Sequence, residues 1–176
     1  MTANSTEQKE HRLRRLEDQA AISDVLYQYA EALDYGDEQA FADCFTEHAV
    51  WEAHNAVNDS VMTYNGRASL KVFAAGHTRA PELFHKHIMT SPRIRVDGDN
   101  ATSQCYLLML LAAPGGLAEI VTFGRYLDKF RREPDGRWRI SHRRAEADAW
   151  NPMWGALRNK RRVALGMEAS TAKPAK

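Results

Sequence analysis

The feature that most constrains this chain is a series of four long strand-type segments after Pro81, parted by short turn sequences. "FHKHIMTSPRIRV", "ATSQCYLLMLLAA", "LAEIVTFGRYLDKFRR" and "RWRISHRRAEADAW" are separated by "DGDN" at 97–100, "PGG" at 114–116 and "PDG" at 134–136. Turns rich in Asp-Gly and Gly-Gly between β-type runs signal hairpins. Strands joined this tightly pair antiparallel, because a parallel neighbour needs a long crossover. A sheet of this extent must have an apolar face covered. "CYLLMLLAA" is apolar on both faces, so it is predicted to be buried on both sides, one lining an interior and the other under a helix or another subunit.

The first half supplies the cover. Ile22, Val25, Leu26, Tyr29, Ala30 and Leu33 recur at spacings of three and four, which predicts one apolar helix face. That helix stops near Tyr35-Gly36, where glycine allows a left-handed turn. Asp37 then caps a short second helix with Phe41 and Phe45 on one side. "AVWEAHN" at 49–55 reads as a strand, "NDSVMTYNG" at 58–66 as a loop or edge strand, and "RASLKVFAAGHTRA" at 67–80 as a third helix. The fold class is α+β. Its expected organisation is a charged, disordered lead-in over 1–14, one domain over 15–150, and a helical tail over 151–176 with loose last residues. Trp150, Met153 and Trp154 are too apolar for a free tail and are expected to pack.

Composition excludes several function classes. The formal net charge is +1, so no global field argues for nucleic acid or an acidic membrane as partner. Cys44 and Cys105 stand far apart, which argues against a disulfide framework or a zinc knuckle and fits a cytoplasmic setting. No window reaches eighteen apolar residues, and the N-terminus carries no apolar core of a leader, so neither secretion nor membrane spanning is expected. There is no glycine-rich phosphate loop, nucleophile elbow or Cys-His pair, so no cofactor is expected.

Asp34 stands at the margin of the first helix's apolar stripe, while Tyr29 lies near its middle. A phenol is thus placed inside and a carboxylate at the rim. In a strand, His85, His87, Met89 and Ser91 share one face. A histidine held beside an aspartate keeps one tautomer and can serve as a general base. His-x-His also suits metal chelation, but no third ligand lies near in sequence, so a metal is not expected. His142, Arg143 and Arg144 could reach a substrate oxygen or pair with Glu146 and Asp148 on a solvated face. "RNKRR" reads as a solubilising stretch of the terminal helix.

From about Leu16 to Trp150 the chain resembles the SnoaL-like branch of the nuclear transport factor 2-like superfamily. The resemblance rests on "AAISDVLYQYAEALDYGDEQAFADCFTEHAVWE", "HKHIMTSPRIRVDGDNA" and "GRYLDKFRREPDGRWRISHRR". It implies a cone-shaped α+β barrel: a strongly curved, mainly antiparallel sheet wrapped around a deep apolar pocket that three helices close. Within the branch the chain is similar to cofactor-free lyases, namely scytalone dehydratase, hexachlorocyclohexane dehydrochlorinase and bile-acid 7α-dehydratase. The similarity implies that Asp34 orients His87, that His87 removes a proton as a group leaves, and that Tyr29 and Tyr126 hydrogen-bond an oxygen of the substrate. An arginine that some relatives carry on the last strand falls near Glu146 here, with Arg144 able to substitute from the same face. Trp51, Tyr64, Leu108 and Met109 are candidate pocket walls beside His85 and Arg144, a lining suited to an aromatic or polycyclic compound. The expected function is that of a lyase (dehydratase, dehydrohalogenase or small-carbonyl-eliminating) acting in a homotrimer or dimer. The alternatives are an isomerase or cyclase with the same base, a small-ligand binding protein, and a non-catalytic β subunit of a ring-hydroxylating dioxygenase.

Overall fold

The structure, a computed structural model, describes residues 2–112 and 115–167. In chain order it contains α1 (Thr2–Tyr35), α2 (Glu38–Asp43), β1 (Phe45–Asn55), β2 (Ser60–Asn65), α3 (Arg67–Ala75), α4 (Ala80–Leu83), β3 (Lys86–Asp97), β4 (Asn100–Ala112), β5 (Ala118–Arg132), β6 (Trp138–Trp150) and α5 (Pro152–Ala164). The strands form a single mixed sheet in the order β2-β1-β6-β5-β4-β3. The hairpin-linked strands β3 to β6 pair antiparallel, as their turns require, and only β1 lies parallel to its neighbour β6. The result is a curved, unclosed six-stranded sheet of the nuclear transport factor 2-like cone type.

Curvature comes from slips in register on β3, β5 and β6, where one strand carries an extra residue and bends. At one of these, between Phe123 and Gly124, the β5 backbone meets β6 so closely that a Cβ at Gly124 would run into the Glu146 carbonyl. Gly124→Ala must push the two strands apart at the bulge. It is expected to cost about 1–3 kcal/mol, measured as a lower denaturant midpoint at unchanged slope.

The concave side of the sheet is covered by α1 through Ile22, Leu26, Tyr29 and Leu33, all buried, together with Phe41 from α2 and Leu70 and Phe73 from α3. Asp18 fixes the middle of α1 to the sheet, accepting from Trp138 Nε1 at 3.1 Å and pairing with Arg132 at 2.7 Å. At the far edge, α5 lays Leu157 beside Trp150 against buried Met109, Leu111 and Val121. The side chains of Met153 and Trp154, and residues 168–176, lie outside the described part.

Several expectations are corrected. The lead-in is helical from Thr2, although residues 5–17 are all exposed. Its Glu, Gln, Lys, Arg and Leu residues favour helix, and extension from an already packed helix avoids the cost of nucleation. Phe45 opens β1 rather than closing α2, because α2 ends at Asp43; it still packs on Phe41 at 5.3 Å between ring centroids. The third helix stops at Ala75, before Gly76. β3 begins after His85, and Ser91, with φ 56°, sits in a bulge that breaks the alternation, so Ser91 is exposed and does not share the inner face of His87. β4 is buried on one face only. Cys105, Leu107, Met109 and Leu111 point inward, whereas Tyr106 is 58% exposed and Leu108 and Leu110 are half-buried. Both cysteines are free and buried. Among the described residues, no helix is long and apolar enough to cross a membrane.

Candidate active site

Asp34 occupies the last turn of α1, where Gly36 and Asp37 both donate their backbone N–H to the Ala32 carbonyl and turn the chain away. Asp37 then caps α2 by accepting from the Ala40 N–H at 2.8 Å. With its helix stopped there, the Asp34 carboxylate is 3% exposed and faces the start of β3. Its Oδ2 accepts the His87 backbone N–H at 2.9 Å, and its Oδ1 meets His87 Nδ1 at 2.5 Å and His85 Nε2 at 3.1 Å. Burial alone would raise the pKa of this carboxyl. The hydrogen bonds from His85 and His87 and the neighbouring His87 charge outweigh burial and hold it well below the usual carboxylate range.

A carboxylate only accepts, so both imidazoles must donate to it. His87 therefore carries its proton on Nδ1 and keeps the lone pair of Nε2 for chemistry. His85 is wholly buried, and burial lowers it below the ordinary imidazole value despite the opposing pull of Asp34. It is a neutral donor behind the carboxylate. Asp34, His85 and His87 also present ligand-type atoms within 4.8 Å of one another, so this trio could hold a divalent cation.

His87 forms part of the wall of a cavity of about 90 Å³, with Tyr29, Trp51, Phe73, His77, Leu107, Met109, Thr122, Tyr126 and Trp150 among its other walls. Trp51 Nε1 donates to the Tyr29 hydroxyl at 3.2 Å, and the Tyr29 and Tyr126 hydroxyls are hydrogen-bonded to each other. Burial pushes both phenols up, so both remain protonated donors at neutral pH. The Arg143 guanidinium lies over both rings, 4.0 Å from the Tyr29 centroid and 4.1 Å from that of Tyr126. Asp128 grips it through two bonds, Nε to Oδ1 at 2.7 Å and Nη2 to Oδ2 at 2.8 Å, and also accepts from Ser103 Oγ at 3.0 Å. Arg143 and Asp128 are both buried, which makes this a dry ion pair under the polar end of the cavity.

Of the residues singled out in the sequence, Tyr29, Trp51, His87, Met109 and Tyr126 meet at this cavity, with Asp34 bonded directly behind His87. Four others are placed differently. His85 backs Asp34 instead of lining the cavity. Tyr64 forms a second layer, stacked on Trp51 at 5.9 Å and Phe73 at 4.9 Å. Leu108 points to the outer face, because the inward positions of β4 are Leu107 and Met109. Arg144 likewise lies outside, pairing with Glu146 at 3.0 Å, and the inward arginine is Arg143. Strand parity could have found it: Tyr126 pairs with Ala145, and residues two apart share a face. His77, Phe73 and Thr122 were also missed. His77 sits in an irregular loop after α3, where no periodicity marks a side chain as inward.

Comparison with known proteins agrees with this fold. The model of the SnoaL-like domain family matches residues 14–144. No curated protein matches the chain. Among solved structures, a nuclear transport factor 2-like protein with a cystatin-like fold from Novosphingobium aromaticivorans is 25% identical, with a TM-score of 0.68 over 84% of this chain and 93% of that one. A protein of unknown function from Mycobacterium tuberculosis is 27% identical, with a TM-score of 0.65 over 77% of this chain and 74% of its own. A third, named as an aromatic ring hydroxylase of Novosphingobium aromaticivorans, is 28% identical, with a TM-score of 0.58 over 78% of this chain and 92% of its own. With a family match across most of its length and the same cone in its structural neighbours, the chain belongs to the SnoaL-like domain family of the nuclear transport factor 2-like superfamily.

Proposed function

We propose that this protein is a cofactor-independent lyase that removes a proton from carbon in a hydrophobic small molecule and expels a leaving group. The observation that carries the proposal is the 2.5 Å contact between Asp34 Oδ1 and His87 Nδ1, placed at the wall of a cavity lined mainly by aromatic and aliphatic side chains. In this mechanism His87 Nε2 takes the proton from the carbon beside a carbonyl. The electron pair moves onto the carbonyl oxygen, where Tyr29 donates to it while Tyr126 donates to the Tyr29 hydroxyl. Arg143 lies behind both rings and adds a fixed positive charge in a water-poor site, where such charge acts over short range with little screening. Collapse of the enolate then breaks the bond to the leaving group. An isomerase would use the same first step and return the proton at another carbon.

Cavity size narrows the substrate. Its volume of about 90 Å³ is below the ~150 Å³ that holds a benzene ring. A single ring would enter with small shifts of flexible walls such as Met109; a polycycle would require the walls to part. The non-catalytic reading draws on the relative named as an aromatic ring hydroxylase and on another, 18% identical, named as the β subunit of an aromatic-ring-hydroxylating dioxygenase. A scaffold has no use for an ionised carboxylate holding a histidine at the wall of an apolar cavity, which favours the lyase. The deciding experiment is turnover of single-ring β-hydroxy and β-halo ketones by the isolated chain, with dyad variants as controls. A chain that processes none of them without a partner protein fits the scaffold instead.

The half-open outer face of the sheet supports a homo-oligomer, and we take a trimer as its form. Tyr106, Leu108, Leu110, Ile120 and Phe123 make an apolar surface on neighbouring strands that stays at least partly exposed among the described residues. Phe123→Asp would place a carboxylate in its middle and is expected to release monomers in sedimentation experiments. An unchanged sedimentation coefficient would place the interface elsewhere.

A further inference from the structure

We infer that Trp51 is a positioning residue for this cavity: its indole N–H holds the Tyr29 hydroxyl so that the Tyr29 proton points to the substrate carbonyl. This rests on the lyase reading above and deepens it, by giving the reason that one phenol of the pair faces the substrate and the other stands behind.

A phenol oxygen offers one proton and two lone pairs, whereas an indole N–H and a guanidinium only donate. The groups gathered around Tyr29 are donors. Trp51 Nε1 reaches the Tyr29 oxygen at 3.2 Å, and the Tyr126 hydroxyl donates to the same atom. The Arg143 guanidinium lies over the Tyr29 ring, 4.0 Å from its centroid. Neither Trp51 nor Arg143 can accept the Tyr29 proton, and Tyr126 spends its own proton on the bond that the two phenols share. The Tyr29 proton is left for the cavity, whose wall Tyr29 forms together with Trp51, Tyr126 and His87. Hydrogen bonds in a chain polarise one another, so the two bonds that Tyr29 accepts strengthen the one that it gives.

Strand pairing brings Trp51 to this place. In the parallel pairing of β1 with β6 it lies opposite Arg143, and in the antiparallel pairing with β2 opposite Tyr64. Its side chain is 5% exposed, with ring centroids 4.9 Å from Phe73 and 5.9 Å from Tyr64. A buried indole N–H needs an acceptor. Trp51 finds its own on α1, in the Tyr29 hydroxyl 22 positions earlier in the chain. The bond ties the donating hydroxyl of the helix to the sheet, and the indole N–H acts on the substrate oxygen only through Tyr29.

The hydrogen bond to the ligand can be read without turnover. 2-Cyclohexenone labelled with carbon-13 at its carbonyl is a single-ring ketone and the elimination product of 3-chlorocyclohexanone. It is bound to the chain and to its Trp51→Phe, Trp51→Leu and Tyr29→Phe variants, and infrared difference spectra give its carbonyl stretch. Both Trp51 variants remove the N–H, and either serves once thermal melting shows it folded. In the parent chain the stretch should lie below its value in cyclohexane. It should move part of the way back in the Trp51 variants and all of the way in Tyr29→Phe. On 3-chlorocyclohexanone, Trp51→Phe should lower kcat roughly 3- to 10-fold, the worth of one hydrogen bond, with KM little changed. A parent-like stretch in the Trp51 variants, or loss of ketone binding in them, overturns the inference and leaves Trp51 as a wall. A parent-like stretch in Tyr29→Phe overturns it too, because another group then donates, and so does a parent chain that binds no ketone. The lyase reading is judged separately. A chain that releases no chloride from 3-chlorocyclohexanone, while the stretch still depends on Trp51, removes the lyase and upholds the positioning role.

Discussion

Replacing His87 by alanine is expected to lower kcat/KM at least about 10²-fold, and as much as 10⁴-fold, because a positioned general base contributes that range. Asp34→Asn should fall in the same range for a different reason. The amide can still accept from one imidazole, but its NH2 group must then face the His87 backbone N–H, the His85 Nε2–H or the His87 Nδ1–H, all of which donate to Asp34 now. His87 then turns or changes tautomer, and its Nε2 lone pair no longer points into the cavity. The effect should sit in kcat, since neither substitution removes an apolar wall. The double variant should lose little more than either single one, because the two residues act as one unit. Turnover in Asp34→Asn within a few-fold of the parent chain would mean that His87 is oriented by something else or does no chemistry.

The second large effect concerns stability. Arg143→Met removes the only partner that neutralises buried Asp128 in this cluster, and leaves its carboxylate with Ser103 Oγ alone. Breaking one side of a buried pair costs about 3–5 kcal/mol, a large part of the ~5–15 kcal/mol that holds a typical domain together. The double variant Arg143→Met/Asp128→Leu should recover much of the loss, because no charge is then stranded in the core. Chemical denaturation of the two variants checks both values. The rescued variant should still be a poor catalyst, since Tyr29 and Tyr126 have lost the cation that lies over both rings. A single variant as stable as the parent would show that water reaches Asp128.

These two effects differ in how far they could be foreseen. Asp34 and His87 came from a helix stop and a strand alternation, supported by resemblance to a family. For Arg143 the sequence leaves two readings open, reaching a substrate oxygen or lying on a solvated face, because His142, Arg143 and Arg144 look alike in sequence. Which of them turns inward depends on one-residue differences in register, and the bulges along β5 and β6 reset that register. Leu108 turns outward by plain alternation along β4, where Cys105, Leu107 and Met109 point in. His77 gave no signal, since its direction is set by a loop packed between α3 and α4 and not by any period in the chain.

Local chemistry written in the sequence determined the antiparallel strands through their turns, the apolar stripe of α1, its stop at Gly36 and the cap at Asp37. Those interactions lie within a few residues of each other and persist whatever the rest of the chain does. Tertiary structure decided the rest: that β1 pairs parallel with β6, that Asp34 receives two histidines, that Arg143 is buried against Asp128, and that His77 faces His87. Each of these joins residues on different elements of the fold. Their geometry is fixed by the bends and packing of the whole sheet, which no local pattern encodes.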